Sequence, residues 1–312
     1  MKHRAVLIVL TGITVLAACN RDTAGIRWQF AESGTDAHLY GVHFVDSKHG
    51  WAVGEYSVVL ATTDGGVTWA IQPENDSIPN SVINKVHFSS STHGWFVNRM
   101  GQVFYTASGG KSWTRQTNAK QAGLLDVYFV SPAEGWVVGG SGTILHTNNG
   151  GRRWENQQSP TGTHAWAVNF VDDQNGWMVG EQGKVSYTSN GGASWLEQQS
   201  NTEEPLFGVY FADVENGWIV GVNGLILNTV DGGMNWTQQK SNTKKTLRGV
   251  AFQNSRIGWA IGEDGLILHT TDGGQTWTAQ PNLSKQKLLD ICLYKNRGWI
   301  VGANGAILRL GK

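Results

Sequence analysis

A Gly-Trp pair recurs seven times along this 312-residue chain at a nearly constant interval. The tryptophans of these pairs are Trp51, Trp95, Trp136, Trp177, Trp218, Trp259 and Trp299. Their spacings are 44, 41, 41, 41, 41 and 40 residues. Such regular self-similarity restricts the chain to a repeat architecture, in which each copy buries its apolar face against the next copy.

A second marker, Thr-x-(Asp/Asn/Ser)-Gly-Gly-x-x-Trp, occurs six times and is called the turn motif below. It spans residues 62–69, 106–113, 147–154, 188–195, 229–236 and 270–277. Its third position holds Asp64, Ser108, Asn149, Asn190, Asp231 and Asp272. These side chains can accept backbone N–H groups within a turn, Ser108 more weakly than the others, and the glycines supply positive φ angles. Because the motif is repeated around the molecule, we interpret it as scaffold and not as a catalytic or calcium site.

Each unit contains four short segments with a period-2 apolar pattern, as in residues 206–212, 218–221, 225–229 and 235–239. Four strands in about 41 residues are typical of one blade of a β-propeller. We therefore predict an all-β, seven-bladed propeller over residues 26–312. The last unit stops after three strands, and a strand-like segment around Trp28 precedes the first unit. This segment should pair with the last blade and close the ring.

The N-terminus has the features of an export signal. Lys2 and Arg4 precede an apolar run over residues 5–16, and residues 16–19 read Leu-Ala-Ala-Cys. A basic start, a short apolar stretch and small residues before a cleavage site are typical of a secretory signal, and the ending resembles the lipobox of bacterial lipoproteins. We predict a signal peptide over residues 1–18, a lipidated Cys19 and a tether over residues 19–25. The protein should then be extracytoplasmic and lipid-anchored, at the periplasmic face of a membrane or, in a photosynthetic organism, in the thylakoid lumen.

The repeated unit also carries a family resemblance. The pattern Gly-Trp-x-Val-Gly-x-x-Gly-x-Ile/Val-Leu, seen at residues 217–227, 298–308 and, with Ile for Val, 258–268, resembles that of the photosystem II stability/assembly factor-like propellers. The turn motif resembles the Asp-box, or BNR-type repeat, of sialidase-like propellers. The resemblance implies a membrane-tethered scaffold that binds a membrane protein client, in a family known for an arginine patch. Blade two departs from the pattern at Asn98 and Ser108.

One position of the predicted first strand varies between the copies, whereas Val and Phe repeat beside it. It holds Tyr40, Asn84, Leu125, Trp166, Phe207, Arg248 and Leu289. We predict that this position rings the mouth of a central channel, at the end opposite the turn motifs. The aromatic residues Tyr40, Trp166 and Phe207, with Lys85 and Arg248 nearby, form a candidate contact surface. The alternative is rim packing with solvated charges.

Blades two and three are richer in basic residues than the rest of the chain. Residues 85–154 contain seven basic and two acidic side chains. Such an excess can steer an acidic partner. The candidates that match the family's patch in residue type are Arg99, Arg115, Arg152 and Arg153. A solvated surface without a function is the alternative.

Composition and motifs limit the possible chemistry. The 24 basic and 24 acidic residues balance, so nothing favours a nucleic-acid partner. Cys19 and Cys292 are the only cysteines, which excludes a Cys-ligated metal domain, and Cys292 is interpreted as an inert buried thiol beside the inter-blade core. Asp126 and Asp290 are the one pair considered for acid and base roles. We predict a monomeric, non-enzymatic binding scaffold without metal or cofactor; the alternatives are a lectin-like or secretion-associated surface binder and, after these, a glycoside hydrolase.

The lipoprotein prediction can be tested at Cys19. Because lipid is attached through the Cys thiol, Cys19→Ser should leave the product unprocessed or soluble, whereas the wild type should partition into detergent. Intact-mass measurement of the mature protein is the readout. A wild-type protein without lipid at its N-terminus would contradict the prediction.

Overall fold

The computed structural model describes residues 27–73, 78–118, 123–281 and 283–311. These residues form seven four-stranded antiparallel sheets, whose first strands follow one another in a closed ring around a channel. The predicted seven-bladed propeller is confirmed. The predicted signal peptide, Cys19 and the tether lie outside the described residues. The described part of the chain contains no helix with the length and hydropathy needed to cross a bilayer.

The strands follow the chain order, with β1 (Arg27–Ala31) preceding the first complete blade. Blade one contains β2 (Leu39–Phe44), β3 (Gly50–Gly54), β4 (Val59–Thr62) and β5 (Ala70–Ile71). Blade two contains β6 (Ile83–Phe88), β7 (Gly94–Asn98), β8 (Gln102–Thr106) and β9 (Thr114–Asn118). Blade three contains β10 (Leu124–Phe129), β11 (Gly135–Gly139), β12 (Ile144–Thr147) and β13 (Glu155–Asn156). Blade four contains β14 (Ala165–Phe170), β15 (Gly176–Gly180), β16 (Val185–Thr188) and β17 (Leu196–Gln198).

Blade five contains β18 (Leu206–Phe211), β19 (Gly217–Gly221), β20 (Ile226–Thr229) and β21 (Thr237–Gln238). Blade six contains β22 (Leu247–Phe252), β23 (Gly258–Gly262), β24 (Ile267–Thr270) and β25 (Thr278–Ala279). Blade seven contains β26 (Leu288–Tyr294), β27 (Arg297–Gly302) and β28 (Ile307–Gly311). Single 3₁₀ turns span Glu55–Ser57, Gly140–Gly142, Glu181–Gly183, Val222–Gly224 and Glu263–Gly265. Most outer strands have only two or three residues, which leaves little edge for unwanted pairing.

Strand register gives every blade two distinct ends. In blade one, Phe44 pairs with Gly50 and Gly50 pairs with Thr62, so the turn motif that follows Thr62 lies at this end, called the turn end. Leu39 pairs with Gly54 at the opposite end, called the mouth end. The other blades repeat this arrangement, so all turn motifs lie at one end of the ring.

The ring closes through the first described strand. β1 is the outermost strand of blade seven, where it pairs antiparallel with β28 and sets Trp28 opposite Leu310. The predicted pairing is therefore confirmed. Arg27 lies opposite Gly311, so the chain enters the propeller at the turn end.

The contact between neighbouring blades is an indole stacked on a phenyl ring. In six contacts, the Gly-Trp indole of one blade lies nearly parallel to the first-strand Phe of the next blade, with ring centroids 3.5–3.6 Å apart. The phenyl ring also covers the glycine of its own pair, since a Cβ on Gly50 would lie 2.3 Å from Phe44. In the seventh contact Leu293 replaces the Phe, and Trp28 packs edge-on against Trp259 at 6.3 Å.

The same indoles donate hydrogen bonds to the turn motif of the next blade. Trp51 Nε1 donates to the Gly109 carbonyl at 2.9 Å, and Trp218 Nε1 donates to that of Gly273 at 3.0 Å. These carbonyls are accessible because both glycines adopt positive φ angles, 69° and 75°. The equivalent bonds run from Trp95, Trp136, Trp177 and Trp299 to Gly150, Gly191, Gly232 and Gly65.

Side chains at the third position of the turn motif accept backbone N–H groups, as predicted. Asp64 accepts from the N–H groups of Val67 and Thr68 at 2.9 and 3.0 Å. Together with bonds from the Thr68 and Thr62 hydroxyls, of which the Thr68 hydroxyl has the largest effect, they outweigh desolvation and lower the pKa of Asp64 to about 2. Ser108 accepts from Ser112 at 3.0 Å, so the serine replaces the carboxylate without loss of the turn. The other acceptors are Asn149, Asn190, Asp231 and Asp272.

Two carboxylates on the inner strands also join blades. Asp126 Oδ2 accepts the Val168 N–H of blade four at 2.8 Å, while its Oδ1 accepts the Val127 N–H at 2.8 Å. Asp290 Oδ2 accepts the Val42 N–H of blade one at 2.9 Å. Both carboxyl groups therefore satisfy amides at the inner edge of a neighbouring blade, where no further strand can pair.

Trp28 should contribute strongly to stability because it fills the place of the missing turn-motif Trp in blade seven. It is 6% exposed, whereas Phe30 on the same strand is 53% exposed. Trp28→Ala should lower the free energy of unfolding by about 3 kcal/mol or more, and Phe30→Ala should change it by about 0.5 kcal/mol or less. Urea unfolding measures both; equal effects would contradict the proposed role of the indole in ring closure.

Asp126→Asn should alter the pH dependence of stability. Burial raises the pKa of Asp126 from 3.8 to about 6, so the folded state binds this proton more tightly than the unfolded state. The resulting stabilisation is complete below pH of about 4 and is lost as the pH rises through about 6. Relative to the Asn variant, the wild type should lose about 2 kcal/mol of unfolding free energy between pH 4 and pH 7.

Urea titrations at several pH values would measure this difference. The Asn side chain cannot accept hydrogen bonds from both amides. This loss lowers the unfolding free energy of the variant by the same amount at every pH, so it does not change the pH dependence. Exposed Asp173→Asn serves as the control and should follow the wild type. A difference between wild type and Asp126→Asn that does not vary with pH would contradict the prediction.

Candidate binding site at the channel mouth

A β-bulge in the first strand of every blade aims one side chain into the channel mouth. In blade one, Leu39 pairs with Gly54 and Gly41 with Val53, so Tyr40 is the extra residue. The bulge residues of the seven blades are Tyr40, Asn84, Leu125, Trp166, Phe207, Arg248 and Leu289. They line a cup with a volume of about 590 Å³ at the mouth end. The prediction that these seven residues surround the channel mouth is confirmed. The bulge explains why they do so, because the extra residue of a bulge turns its side chain away from the strand ladder.

Aromatic and cationic side chains lie against one another at two places on the wall of this cup. The Arg248 guanidinium lies 4.1 Å from the centroid of the Phe207 ring, which Trp166 meets edge-on at 5.8 Å. On the other side, the Arg99 guanidinium lies 5.1 Å from the centroid of Tyr40. Such cation–π pairs hold the guanidinium groups over apolar rings. The cup can therefore offer flat apolar surfaces and positive charge to the same ligand.

Two enclosed donors of the cup have no acceptor. The indole Nε1 of Trp166 and the guanidinium Nε of Arg248 are buried and make no hydrogen bond with the described residues. The Arg248 Nη2 lies 3.5 Å from Glu263, so the neighbouring part of the same group is paired. An unsatisfied buried donor costs about 1–3 kcal/mol. A carbonyl or carboxylate oxygen of a ligand would recover that free energy only if the Trp166 or Arg248 side chain rotates to expose its donor, because neither atom is exposed to solvent.

A charged layer lies directly below the mouth. Lys85 Nζ contacts Asp290 Oδ1 at 2.7 Å, across the gap left by Gly41 of the blade between them. Burial opposes the charge of Lys85, but the attraction of Asp290 and Asp126 outweighs it and raises the lysine pKa. The prediction that Lys85 lies beside the mouth aromatics is thus refined, because its ammonium group is already paired inside the channel. Asp126 and Asp290 are likewise committed to amides and to Lys85.

The next layer towards the turn end contains Cys292 and two histidines. Burial lowers the pKa of His43 to about 3, and its neutral Nδ1 accepts the Phe88 N–H of the next blade at 3.2 Å. Burial also lowers the pKa of His87 well below its usual value. Cys292 packs beside the blade core, as interpreted, but it is half-buried on the channel wall and not fully buried, which corrects that part of the interpretation. Desolvation raises the pKa of its thiol to about 12, so the thiol is protonated and unreactive.

The arginines of the basic blades do not share one surface. Arg99 lies at the mouth, where its Nε also donates to Asn84 at 3.3 Å. Arg115 is exposed on β9, while Arg152 and Arg153 lie at the turn end, the latter paired with Glu155 at 3.1 Å. The sequence position of each arginine therefore predicts which blade carries it, but not whether it lies at the mouth end or the turn end of that blade. Among the described residues, no three His, Cys, Asp or Glu side chains are grouped closely enough to hold a metal ion.

The fold is shared with several solved propellers. A structure of YCF48 bound to D1 peptide matches with a TM-score of 0.79 and 23% identity, covering 91% of this chain and 97% of that one. YCF48 from Cyanidioschyzon merolae matches with a TM-score of 0.77 and 23% identity, covering 91% and 98%. Virginiamycin B lyase from Staphylococcus aureus, an enzyme, matches with a TM-score of 0.80 and 15% identity, covering 92% and 99%. At these identities the likeness shows the fold alone.

Sequence comparison is more specific. The photosystem II assembly lipoprotein Ycf48 of Prochlorococcus marinus (strain NATL2A) is 35% identical over 78 residues, which are 24% of this chain and 22% of that protein. The family model of photosynthesis system II assembly factor YCF48 matches residues 21–121, 116–196, 152–238 and 194–289. These overlapping matches run through most of the propeller, and the chain therefore belongs to the photosynthesis system II assembly factor YCF48 family.

Proposed function

We propose that this protein is a lipid-anchored, extracytoplasmic scaffold that holds a segment of a membrane protein client at the channel mouth. The observation that carries the proposal is the cup itself, in which the guanidinium groups of Arg99 and Arg248 lie over the rings of Tyr40 and Phe207. A peptide supplies carbonyl oxygens for such donors and side chains for the rings. Rigid propeller walls restrict the loss of side-chain entropy when such a segment binds.

The comparisons support a protein client. One solved relative is YCF48 with a bound D1 peptide, and a curated relative is described as a photosystem II assembly lipoprotein. The second description also supports the anchor predicted at Cys19. Membership of an assembly-factor family favours binding over catalysis, as does the commitment of Asp126 and Asp290 to inter-blade hydrogen bonds.

An anchor before Arg27 would hold the turn end towards the membrane. Arg27 is the first residue of β1 and lies at the turn end, opposite Gly311. The mouth, at the other end of the propeller, would then face away from the bilayer. In this orientation the client would present an extramembrane segment to Tyr40, Arg99 and Arg248, and not a membrane-spanning helix.

The basic residues divide into two groups under this proposal. Arg99 and Arg248 contact the client, because both line the cup, where Arg99 is exposed and Arg248 is partly exposed. Lys85 lies beneath them and neutralises the charge of Asp290 on the channel wall through their ion pair. Partner contact by Arg115, Arg152 and Arg153 stays a separate prediction, because these side chains lie away from the cup.

Site-specific photocross-linking would test the proposal with the full-length protein in its native membranes. A benzophenone amino acid in place of Phe207 should form a covalent product with an integral membrane protein, identified by mass spectrometry. The same amino acid in place of the exposed Gln275, at the turn end, is the matched control and should give no such product. Adding Arg99→Glu and Arg248→Glu should reduce the yield from position 207 at least tenfold, because two donors and their charge are lost.

Melting curves should show that the arginine variants remain folded. Both arginines are partly exposed, so their replacement should change the melting temperature little. A membrane protein captured from position 275 and not from position 207 would overturn the proposed site. So would an undiminished yield in the double arginine variant.

A further inference from the structure

Four exposed apolar side chains gather at the turn end of blades four and five. Val214, Val230 and Met234 lie at the tip of blade five, where they are 46%, 68% and 77% exposed. Leu196, on the outer strand of blade four, is 65% exposed. We call these four residues the apolar tip. Single exposed apolar residues are ordinary, but a contiguous group marks an interaction surface.

Hydrogen bonds bring the four positions together. The Gly232 N–H donates to the Glu215 carbonyl at 2.9 Å, which holds the loop of Val214 against the turn that carries Val230 and Met234. Gln198 Nε2 donates to the Gly232 carbonyl at 2.8 Å, which holds the outer strand of blade four against the same turn. Leu196 precedes Gln198 by two residues, so it lies on the same face of this strand.

The repeat shows that the fold does not require these side chains. The position of Val230 holds Thr63, Ala107, Asn148, Ser189 and Thr271 in the other blades. The position of Met234 holds Val67, Lys111, Arg152, Ala193 and Gln275. The position of Val214 holds Ser47, Ser91, Pro132, Asp173 and Ser255. Only blade five combines large apolar residues at all three positions, although its backbone follows the same turn.

The surroundings of the apolar tip are acidic. The loops and turns at this end of blades four and five carry Asp172, Asp173, Asp213, Glu215 and Asp231. In residues 171–175, 189–194, 212–216 and 230–235, all of them described, there is no Lys or Arg. The field therefore repels anionic lipid headgroups and attracts cations. Apolar contact with surrounding negative charge suits a segment that is both apolar and basic.

We propose that the apolar tip is a second docking surface, which binds a peptide segment with apolar and basic side chains on a partner protein. The surface lies at the opposite end of the propeller from the mouth. It goes beyond the client site proposed above and does not depend on that site. A protein with two docking ends can hold two segments of one complex, or two subunits, at a fixed separation.

A direct test uses a fluorescein-labelled amphipathic 14-residue peptide of Leu and Lys and the full-length protein in detergent. Wild type should bind it in an anisotropy titration. The triple variant Val214→Ser, Val230→Thr, Met234→Gln installs the residues that blade six already carries, so the turn should fold unchanged. It should bind at least tenfold more weakly. Val67→Thr, which removes an exposed apolar residue from blade one, is the matched control and should bind as wild type does.

Charge provides the second arm of the test. Asp173→Asn with Glu215→Gln removes two charges whose carboxylates cap no turn, and should weaken binding severalfold and reduce its salt dependence. A peptide of Leu and Glu should bind at least tenfold more weakly than the Leu-Lys peptide. Arg99→Glu with Arg248→Glu, at the mouth, should leave binding unchanged, which separates this proposal from the client site.

Three results would overturn the proposal. The first is no binding of the Leu-Lys peptide by wild type, and the second is equal binding by the triple variant. The third is equal binding of the Leu-Lys and Leu-Glu peptides by wild type, because the acidic surroundings of the apolar tip would then play no part in recognition.

Discussion

The stacking of an indole on a phenyl ring governs the rest of this structure. Six of the seven Gly-Trp indoles stack on the Phe of the next blade, and that Phe covers a glycine that must lack a side chain, as Phe44 covers Gly50. The indole N–H then fixes the next turn motif through a glycine carbonyl. One tryptophan thus sets both the angle between blades and the position of the loops at the turn end. The glycine, aromatic and turn patterns of the sequence are consequences of this contact.

Most of the fold follows from the sequence because its determinants are local and repeated. The Gly-Trp interval gives the blade number, and the orphan strand with Trp28 gives the closure. Three features could not be predicted. Variation at Tyr40 and its equivalents locates the mouth, but the bulge responsible is a register shift that has no residue signature. Cys292 lies on the channel wall, but its apolar sequence neighbours make its strand position look like a core position. The position of a residue in the basic segment also does not show which end of the propeller it occupies. Arg99 and Arg152 fall in consecutive blades but lie at the mouth end and the turn end.

The two ends of the ring differ in how many of their side chains are fixed by contacts of the scaffold. At the turn end, the Gly-Gly turns and their capping side chains are fixed by the inter-blade contacts, and only the outermost positions vary, as at Val230 and Met234. At the mouth end, the Lys85–Asp290 pair and the amide contacts of Asp126 satisfy the inner edges and form a polar floor. The cup above this floor has donors left over.

A bulge residue is excluded from both the strand ladder and the blade core, so its identity is free of the constraints that fix its neighbours. Seven such positions converge on one cup, and each can change without disturbing a stack. The propeller therefore provides a rigid backbone that presents seven variable side chains at one end. Asn84 is the exception, because it is buried and donates to the Leu124 carbonyl of the next blade at 2.7 Å. Substitutions at the other six positions can therefore change the surface of the cup at constant fold.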